Sequence, residues 1–172
     1  MTTSADILID SFTRVKETSR RAAKGLSQSQ LEARIDPNAN TISWLLWHIG
    51  RVQDAQVADV AGFGQLWTSD GWMHRFALPF EPGETGYAQS AAEVAQVAGA
   101  SAELLADYVT AVCDRTVAYV ATLADDDFDR IVDTRWKPPV TLAARLVSVV
   151  SDDLQHAGQA AFIRGVVERT AS

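Results

Sequence analysis

Hydrophobic positions recur every three or four residues along much of the chain, the spacing that keeps one face of an α-helix buried. Leu8, Phe12, Val15 and Ala22 form the first such stripe, and Leu142, Leu146, Val149 and Ile163 form the last. Four long helices are predicted: Ser4 to about Lys24, Thr41 to about Val60, one through Leu105, Tyr108, Val112, Tyr119 and Leu123, and Thr141 to about Glu168. No strand candidate interrupts them. The pattern therefore predicts an all-α four-helix bundle forming one domain over residues 1–172.

Polar residues and glycines mark the predicted helix ends. Ser27 and Gln30 have the spacing of a capping box for a short helical turn. Asn40 is a good N-cap for the second helix, and Gly62 is a typical terminator for it. Thr141 is predicted to cap the fourth helix, after a rigid lead-in of sequence WKPP at residues 136–139.

The helical pattern breaks down between Gly62 and about Gly86. Proline and glycine punctuate this segment, which also carries five aromatic residues, Phe63, Trp67, Trp72, Phe76 and Phe80. We expect a long, partly helical loop between the second and third long helices. Long loops without a regular pattern are often functional, so an aromatic one could cover a pocket. A short helix is predicted near Ser90 to Val97.

Composition and charge narrow the range of partners. The net charge is -7 over 172 residues, whereas nucleic-acid binders carry a basic surface for the phosphates, so DNA and RNA are not expected partners. The sequence has neither a signal peptide nor an apolar run of roughly 20 residues, which predicts a cytoplasmic protein without a membrane anchor. The single cysteine, Cys113, agrees with a reducing compartment and is expected to be a small core residue.

Two of the three histidines lie inside apolar helices. His48 is on the second long helix and His156 is on the fourth, where Asp152 and Asp153 precede it by four and three residues. Either spacing places a carboxylate on the same helix face as the imidazole. Two imidazoles and one carboxylate suit zinc, nickel or iron as divalent ions and leave positions open for water or substrate. The alternative from spacing alone is two hydrogen-bonded core histidines beside solvated acids.

Four further residues are weaker candidates. His74, in the aromatic loop, is expected to be a surface or packing residue. Arg51 and Gln159 each lie three positions beyond a candidate histidine and could reach a substrate or orient a ligand, with an ordinary bundle contact as the alternative. Trp44 lies one turn before His48, so it could form a wall of the metal pocket as well as part of the core.

Three segments resemble the DinB-like superfamily. Residues 41–54, TISWLLWHIGRVQD, resemble its second helix, and residues 152–159, DDLQHAGQ, resemble its closing motif, in which histidine or glutamate is followed four residues later by histidine and then by Gly-Gln. The loop is similar to the branch that includes mycothiol-dependent maleylpyruvate isomerase at Trp67, Asp70-Gly71-Trp72, Arg75-Phe76, Leu78-Pro79 and Thr85-Gly86-Tyr87. The likeness covers most of the chain.

The resemblance implies a DinB-like four-helix bundle with His48, Asp152 and His156 as the ligands of one divalent metal. Asp152 departs from the branch, which usually has the longer glutamate at this position. Measured against the apolar stripe of the fourth helix, Asp153 lies nearer the buried centre than Asp152, so it is the alternative ligand.

The resemblance also implies a reaction class. The metal, most simply zinc, would activate the thiolate of a low-molecular-weight thiol such as mycothiol for attack on a small electrophile, in a transferase or isomerase reaction. A homodimer would be compatible with the family. Two alternatives stay open: a metal-dependent hydrolase that uses bound water, and a non-catalytic metal-binding bundle.

Overall fold

Four long helices pack side by side in the computed structural model, which describes residues 1–170. In chain order the helices are α1 (Ser4–Ala23), α2 (Gln28–Leu31), α3 (Ile42–Ala61), α4 (Leu66–Ser69), α5 (Trp72–Phe76), α6 (Ala91–Val94), α7 (Ala102–Val120) and α8 (Leu142–Thr170). Helices α1 and α3 each pack extensively against both α7 and α8. The predicted all-α bundle is confirmed, with helix ends within a few residues of those expected.

Capping explains where the helices begin and end. The capping box of Ser27 and Gln30 is present at the start of α2, and Gly62 ends α3 in the left-handed conformation. The cap of α3 is Thr41, whose hydroxyl accepts a hydrogen bond of 3.0 Å from the backbone N–H of Trp44. The expected cap at Asn40 was therefore one residue early. Thr141 caps α8 as predicted, accepting from the backbone N–H of Ala144.

A small hairpin corrects the expectation that the chain has no strands. After a 3-10 helix at Asp125–Asp129, strand β1 (Ile131–Asp133) pairs antiparallel with β2 (Val140–Thr141). Strands of three and two residues are too short to show the alternation by which a half-buried strand is recognised. The WKPP segment, expected to be a lead-in to α8, connects these strands and so projects Trp136 from the bundle.

Helix α3 is the most enclosed of the long helices, because α7 and α8 pack against it and the loop after it wraps the rest. Most of its residues are buried, including the polar residues Ser43, His48, Arg51, Gln53 and Asp54. The loop contains α4 and α5, as the partly helical prediction requires, and α6 falls within the short helix predicted near Ser90. Within residues 1–170, no helix is long and apolar enough to cross a membrane.

Candidate metal centre and cleft

Side chains from α3 and α8 converge at one point of the bundle. His48, Asp152 and His156 each offer one ligand atom, and these atoms lie within 4.8 Å of one another. The Asp152 carboxylate lies between the rings, with Oδ2 3.6 Å from His48 Nε2 and Oδ1 3.6 Å from His156 Nε2. The structure thus brings together the three residues that the family resemblance implied, and the shorter aspartate reaches both imidazoles.

His48 is held in one orientation by its surroundings. Its Nδ1 lies 2.5 Å from the carbonyl oxygen of Thr85, and because a carbonyl only accepts, Nδ1 must donate the proton. The ring stacks on Trp44, with centroids 4.5 Å apart and planes inclined by 10°. The backbone at Gly86 also packs closely here, since a Cβ added to Gly86 would lie only 2.8 Å from Nδ1. In the neutral ring His48 Nε2 is consequently unprotonated, and it faces Asp152.

His156 has the same tautomer for a similar reason. Its Nδ1 lies 3.0 Å from Gln159 Oε1, an amide oxygen that accepts a hydrogen bond, so His156 Nε2 is also bare in the neutral ring. The two imidazoles meet edge to face, with centroids 4.8 Å apart. A metal-bound histidine commonly donates its second N–H to an oxygen acceptor in this way.

The donor set is suited to a cation. In the neutral rings two nitrogen lone pairs face a carboxylate, and Asp152 Oδ2 is buried without a hydrogen-bond partner. Such electron-rich atoms repel one another unless a proton or a positive ion lies between them. Two ligands of a tetrahedral zinc site, each about 2.1 Å from the ion, are about 3.4 Å apart, close to the 3.6 Å separations here. These residues could hold a divalent metal.

The pKa values of the three groups shift in different directions. Burial lowers the pKa of His48, partly offset by the Thr85 carbonyl, which accepts from its ring. The neighbouring Asp152 carboxylate raises the pKa of His156. Burial acts to raise the pKa of Asp152, but the two imidazoles, His156 first, outweigh it and leave this pKa below its ordinary value. Asp152 is therefore anionic at neutral pH.

Asp153 lies on a different side of α8. It is fully buried, as its position relative to the apolar stripe predicted, and neither carboxylate oxygen has a hydrogen-bond partner. Burial, followed by the charge of Asp152, raises its pKa well above the ordinary value. The structure therefore groups Asp152, and not the alternative Asp153, with the two histidines.

Arg51 holds the loop that contacts His48. Its guanidinium is fully buried and donates to the carbonyls of Pro82 and Glu84 and to Gln65 Oε1, each at 3.0 Å. Asp54 lies 3.7 Å away and accepts from the backbone N–H groups at the start of α4. Of the two expectations for Arg51, the buried bundle contact is the one observed, and it fixes the backbone immediately before Thr85.

A cleft of about 580 Å³ leads from this centre along α8 to the hairpin. His48 and Asp152 line one end, and Arg145, Asp133, Arg135 and Trp136 line the other. Sequence reasoning missed this far end. Arg145 could have been found from its position seven residues before Asp152, which puts both on the same face of α8, but the hairpin residues carry no comparable signal.

The remaining candidates lie where the weaker expectations placed them. His74 is an exposed residue of α5 and is not part of the triad. Cys113 is a buried core residue, donating to Gln53 Oε1 at 3.3 Å, and burial raises the pKa of its thiol. Trp44 combines both of its expected roles, because it is buried and stacks on His48.

Comparison with known proteins agrees with this geometry. The family model described as mycothiol-S-transferase matches residues 7–169. A crystal structure described as a conserved protein of locus from Enterococcus faecalis superimposes with a TM-score of 0.88 at 27% sequence identity, covering 95% of this chain and 96% of that chain. None of the curated proteins compared with the chain matches it. With helical bundle and family match in agreement, the chain belongs to the mycothiol-S-transferase family, a DinB-like family.

Proposed function

We propose that this protein is a metal-dependent S-transferase that joins the sulfur of a low-molecular-weight thiol, mycothiol in the first instance, to a small electrophile. His48, Asp152 and His156 hold one divalent cation, for which zinc is the first candidate. The observation that carries the proposal is the convergence of two bare imidazole nitrogens and one carboxylate at the end of an open cleft. The family match supports the thiol as cosubstrate.

The ligand set accounts for the choice of a thiol. Two neutral imidazoles and one carboxylate leave a divalent ion with net positive charge, which would favour the thiolate form of a bound thiol whose free pKa is about 8.5. Three protein ligands also leave a coordination position open, as catalytic zinc sites do. The Asp152 side chain is 38% exposed, so the cleft would give a thiol access to the three ligand residues.

One backbone carbonyl and one side-chain amide orient the two imidazoles. Thr85 and Gln159 keep both Nδ1 atoms protonated, so that both Nε2 atoms point inward. The thiol proton passes to water in the open cleft, and the sulfur forms one bond to the electrophilic carbon. In a substitution the bond between that carbon and the leaving group breaks, and its electron pair leaves with that group. In a conjugate addition the electron pair moves onto the electrophile, which takes up a proton from water.

The decisive experiment compares two adjacent acids. Purified wild type, His48→Ala, Asp152→Asn and Asp153→Asn would be reconstituted with zinc, dialysed and measured by mass spectrometry. We expect about one zinc per chain in the wild type and in Asp153→Asn, and loss of zinc in the other two variants. Asp153→Asn is the matched control, because it alters a neighbouring carboxyl that does not face the histidines.

Turnover is then measured with mycothiol and a chromogenic electrophile such as 1-chloro-2,4-dinitrobenzene, followed by a wider panel. Activity that requires both zinc and thiol, and disappears in Asp152→Asn, would support the proposal. Hydrolysis of ester or amide substrates without thiol would instead favour water as the nucleophile. Stoichiometric zinc with no turnover across the panel would favour a non-catalytic bundle.

A further inference from the structure

Charged and polar side chains cluster at the far end of the cleft. Arg145 precedes Asp152 by seven residues of α8, a rise of about 10 Å, so this cluster lies about that far from the candidate metal centre. Arg145 comes from α8, Asp133 and Arg135 come from β1 and the connection after it, and Gln56 comes from α3. All four line the cleft. A small thiol bound at the metal would leave this end unfilled.

In the part of the chain that the structure describes, this end of the cleft has N–H donors without acceptors. Asp133 uses its oxygens on the backbone and guanidinium of Arg135 and on Arg145. Arg145 donates once to Asp133 and once to Gln56 Oε1. A guanidinium has five N–H donors, so three N–H groups of Arg145 have no acceptor among the described residues, although its side chain is only 13% exposed. The amide group of Gln56, whose oxygen is taken, adds further donors.

Two aromatic side chains border the same cleft. Trp136, between the strands, is 65% exposed and Tyr87, after Gly86, is 89% exposed. Large aromatic side chains with an apolar face and a polar handle are suited to contact with ligands that are part apolar and part polar. Here they flank a group of donors, on two segments outside the four long helices.

We infer that this end of the cleft is the subsite for the oxygen-rich body of the thiol, and that Arg145 and Trp136 determine which thiol is accepted. The inference rests on the proposed function. Sugar and cyclitol hydroxyls present acceptor oxygens to the guanidinium of Arg145 and the amide of Gln56, while ring C–H faces lie against Trp136. A carboxylate on the electrophile would offer similar acceptors, so the test separates the two sources.

The test compares mycothiol with N-acetylcysteine, which carries the same acylated cysteine without the sugar and cyclitol. Affinities of both thiols for the zinc-loaded protein would be measured by calorimetry in wild type, Arg145→Met, Trp136→Ala and the control Arg169→Met. Arg169 is an exposed arginine of the same helix, remote in sequence from the cleft residues. Zinc content and circular dichroism show that each variant folds. Because Trp136 is largely exposed, its variant remains informative if Arg145→Met does not fold.

We expect the wild type to bind mycothiol at least about tenfold more tightly than N-acetylcysteine, and Arg145→Met to lose about tenfold for mycothiol alone, in line with hydrogen bonds to a charged group. Trp136→Ala should lose less affinity, again for mycothiol alone, and Arg169→Met should keep its affinity for both thiols. Equal losses for both thiols, or none, would overturn the inference while leaving the proposed function intact. The turnover assay is repeated in each variant with a carboxylate-bearing electrophile, and an increase in the KM for that electrophile with unchanged mycothiol affinity would also overturn the inference. Binding of neither thiol would defeat the proposed function itself.

Discussion

Helices α3 and α8 supply the candidate ligands in contrasting ways. On α3, His48 is 5% exposed and is fixed by the Thr85 carbonyl, the Trp44 ring and the backbone at Gly86. On α8, the His156 and Asp152 side chains are 19% and 38% exposed. Within the described residues, the Nδ1 of His156 is oriented by one contact, to an exposed glutamine on its own helix.

The difference combines a rigidly held histidine on α3 with an accessible histidine and carboxylate beside the cleft on α8, a combination that would suit the proposed metal centre. A ligand whose rotamer is locked by packing preserves the geometry of a site, and α3 provides this through the loop anchored by Arg51. A ligand beside an open cleft can be reached by substrate, and α8 provides this. Disturbing the α3 side should therefore affect stability and metal affinity more than disturbing the α8 side.

The largest effect is expected from Arg51→Met. The change removes the donors to Pro82, Glu84 and Gln65 and leaves the buried Asp54 without its cationic neighbour. Breaking a buried ion pair on one side costs about 3–5 kcal/mol, so we expect a loss of this order in urea unfolding of the metal-free protein. Arg14→Met is the control, because it breaks an exposed pair with Asp10 and should leave the free energy of unfolding nearly unchanged. Similar losses in the two variants would contradict the assigned role of Arg51.

The next effect tests the close packing of the loop against His48 and the neighbouring rings of Trp44 and Trp47. Gly86 has φ +95°, and a Cβ there would lie 2.8 Å from His48 Nδ1. We expect Gly86→Ala to displace the imidazole and to weaken zinc binding about 10–100-fold, the range found for changes to the partners of metal ligands. Zinc affinity would be measured by competition with a chromogenic chelator.

Gly25→Ala is the matched control for backbone strain. Gly25 also has positive φ, +75°, but a Cβ there would meet nothing within 4 Å. We expect Gly25→Ala to lose stability, because an L side chain is strained in that conformation, and to keep its zinc affinity. A comparable loss of zinc affinity in both variants would show that strain alone accounts for the Gly86 result.

The same contrast explains how much could be predicted from the sequence. The bundle follows from the apolar periodicity, and the grouping of His48 with Asp152 and His156 follows from the resemblance, since both depend on patterns within single helices. Spacing alone left Asp152 and Asp153 open, because both lie within one turn of His156. The apolar stripe of α8 placed Asp153 nearer the buried centre, but which of the two carboxylates faces the imidazoles depends on how α1 and α3 pack against α8.

The cleft depends on contacts that are remote in sequence, and so it was missed. Arg145 donates to Gln56, 89 positions away, and Thr85 accepts from His48 across 37 positions. The hairpin that carries Trp136 is made from strands of two and three residues, too short for a periodic signal. A single sequence shows neither pairing, although the aromatic loop was correctly expected to be partly helical.

A smaller effect is expected on the α8 side. Gln159→Leu removes the acceptor for His156 Nδ1–H, which frees the ring to rotate or to change tautomer. Because this ligand is already more exposed, we expect a loss of zinc affinity near the lower limit of the range for such partners, about tenfold. Gln155→Leu is the control, since within residues 1–170 the Gln155 side chain hydrogen-bonds only to Ser151. If Gln159→Leu lost more zinc affinity than Gly86→Ala, the expected ranking of the two helices would be wrong.

The smallest effect is a difference in histidine titration. In the metal-free protein the pKa of His156 is raised, chiefly by Asp152, and that of His48 is lowered, chiefly by burial. As pH falls, His156 should therefore protonate first and His48 second, on opposite sides of the ordinary value of 6.5. Proton NMR of the imidazole resonances, assigned with His48→Ala, measures both. If the two imidazoles titrated at the same pH, the expected electrostatic difference between the two helices would be contradicted.

The sign of each shift fixes its effect on stability. The contribution of His156 is fully present below its unfolded pKa and is lost as pH rises through its higher folded pKa, because the folded state binds the proton more tightly. His48 acts in the opposite direction: as pH falls below its unfolded pKa, the unfolded chain gains a proton that the buried ring does not, so stability falls until its lower folded pKa is reached. In Asp152→Asn the main cause of the raised His156 pKa is gone, leaving the His48 effect uncompensated. We expect the free energy of unfolding of this metal-free variant, measured in urea, to fall more steeply than that of the wild type as pH falls from about 7 to 5. If the two proteins showed the same pH dependence, Asp152 would not couple the two helices.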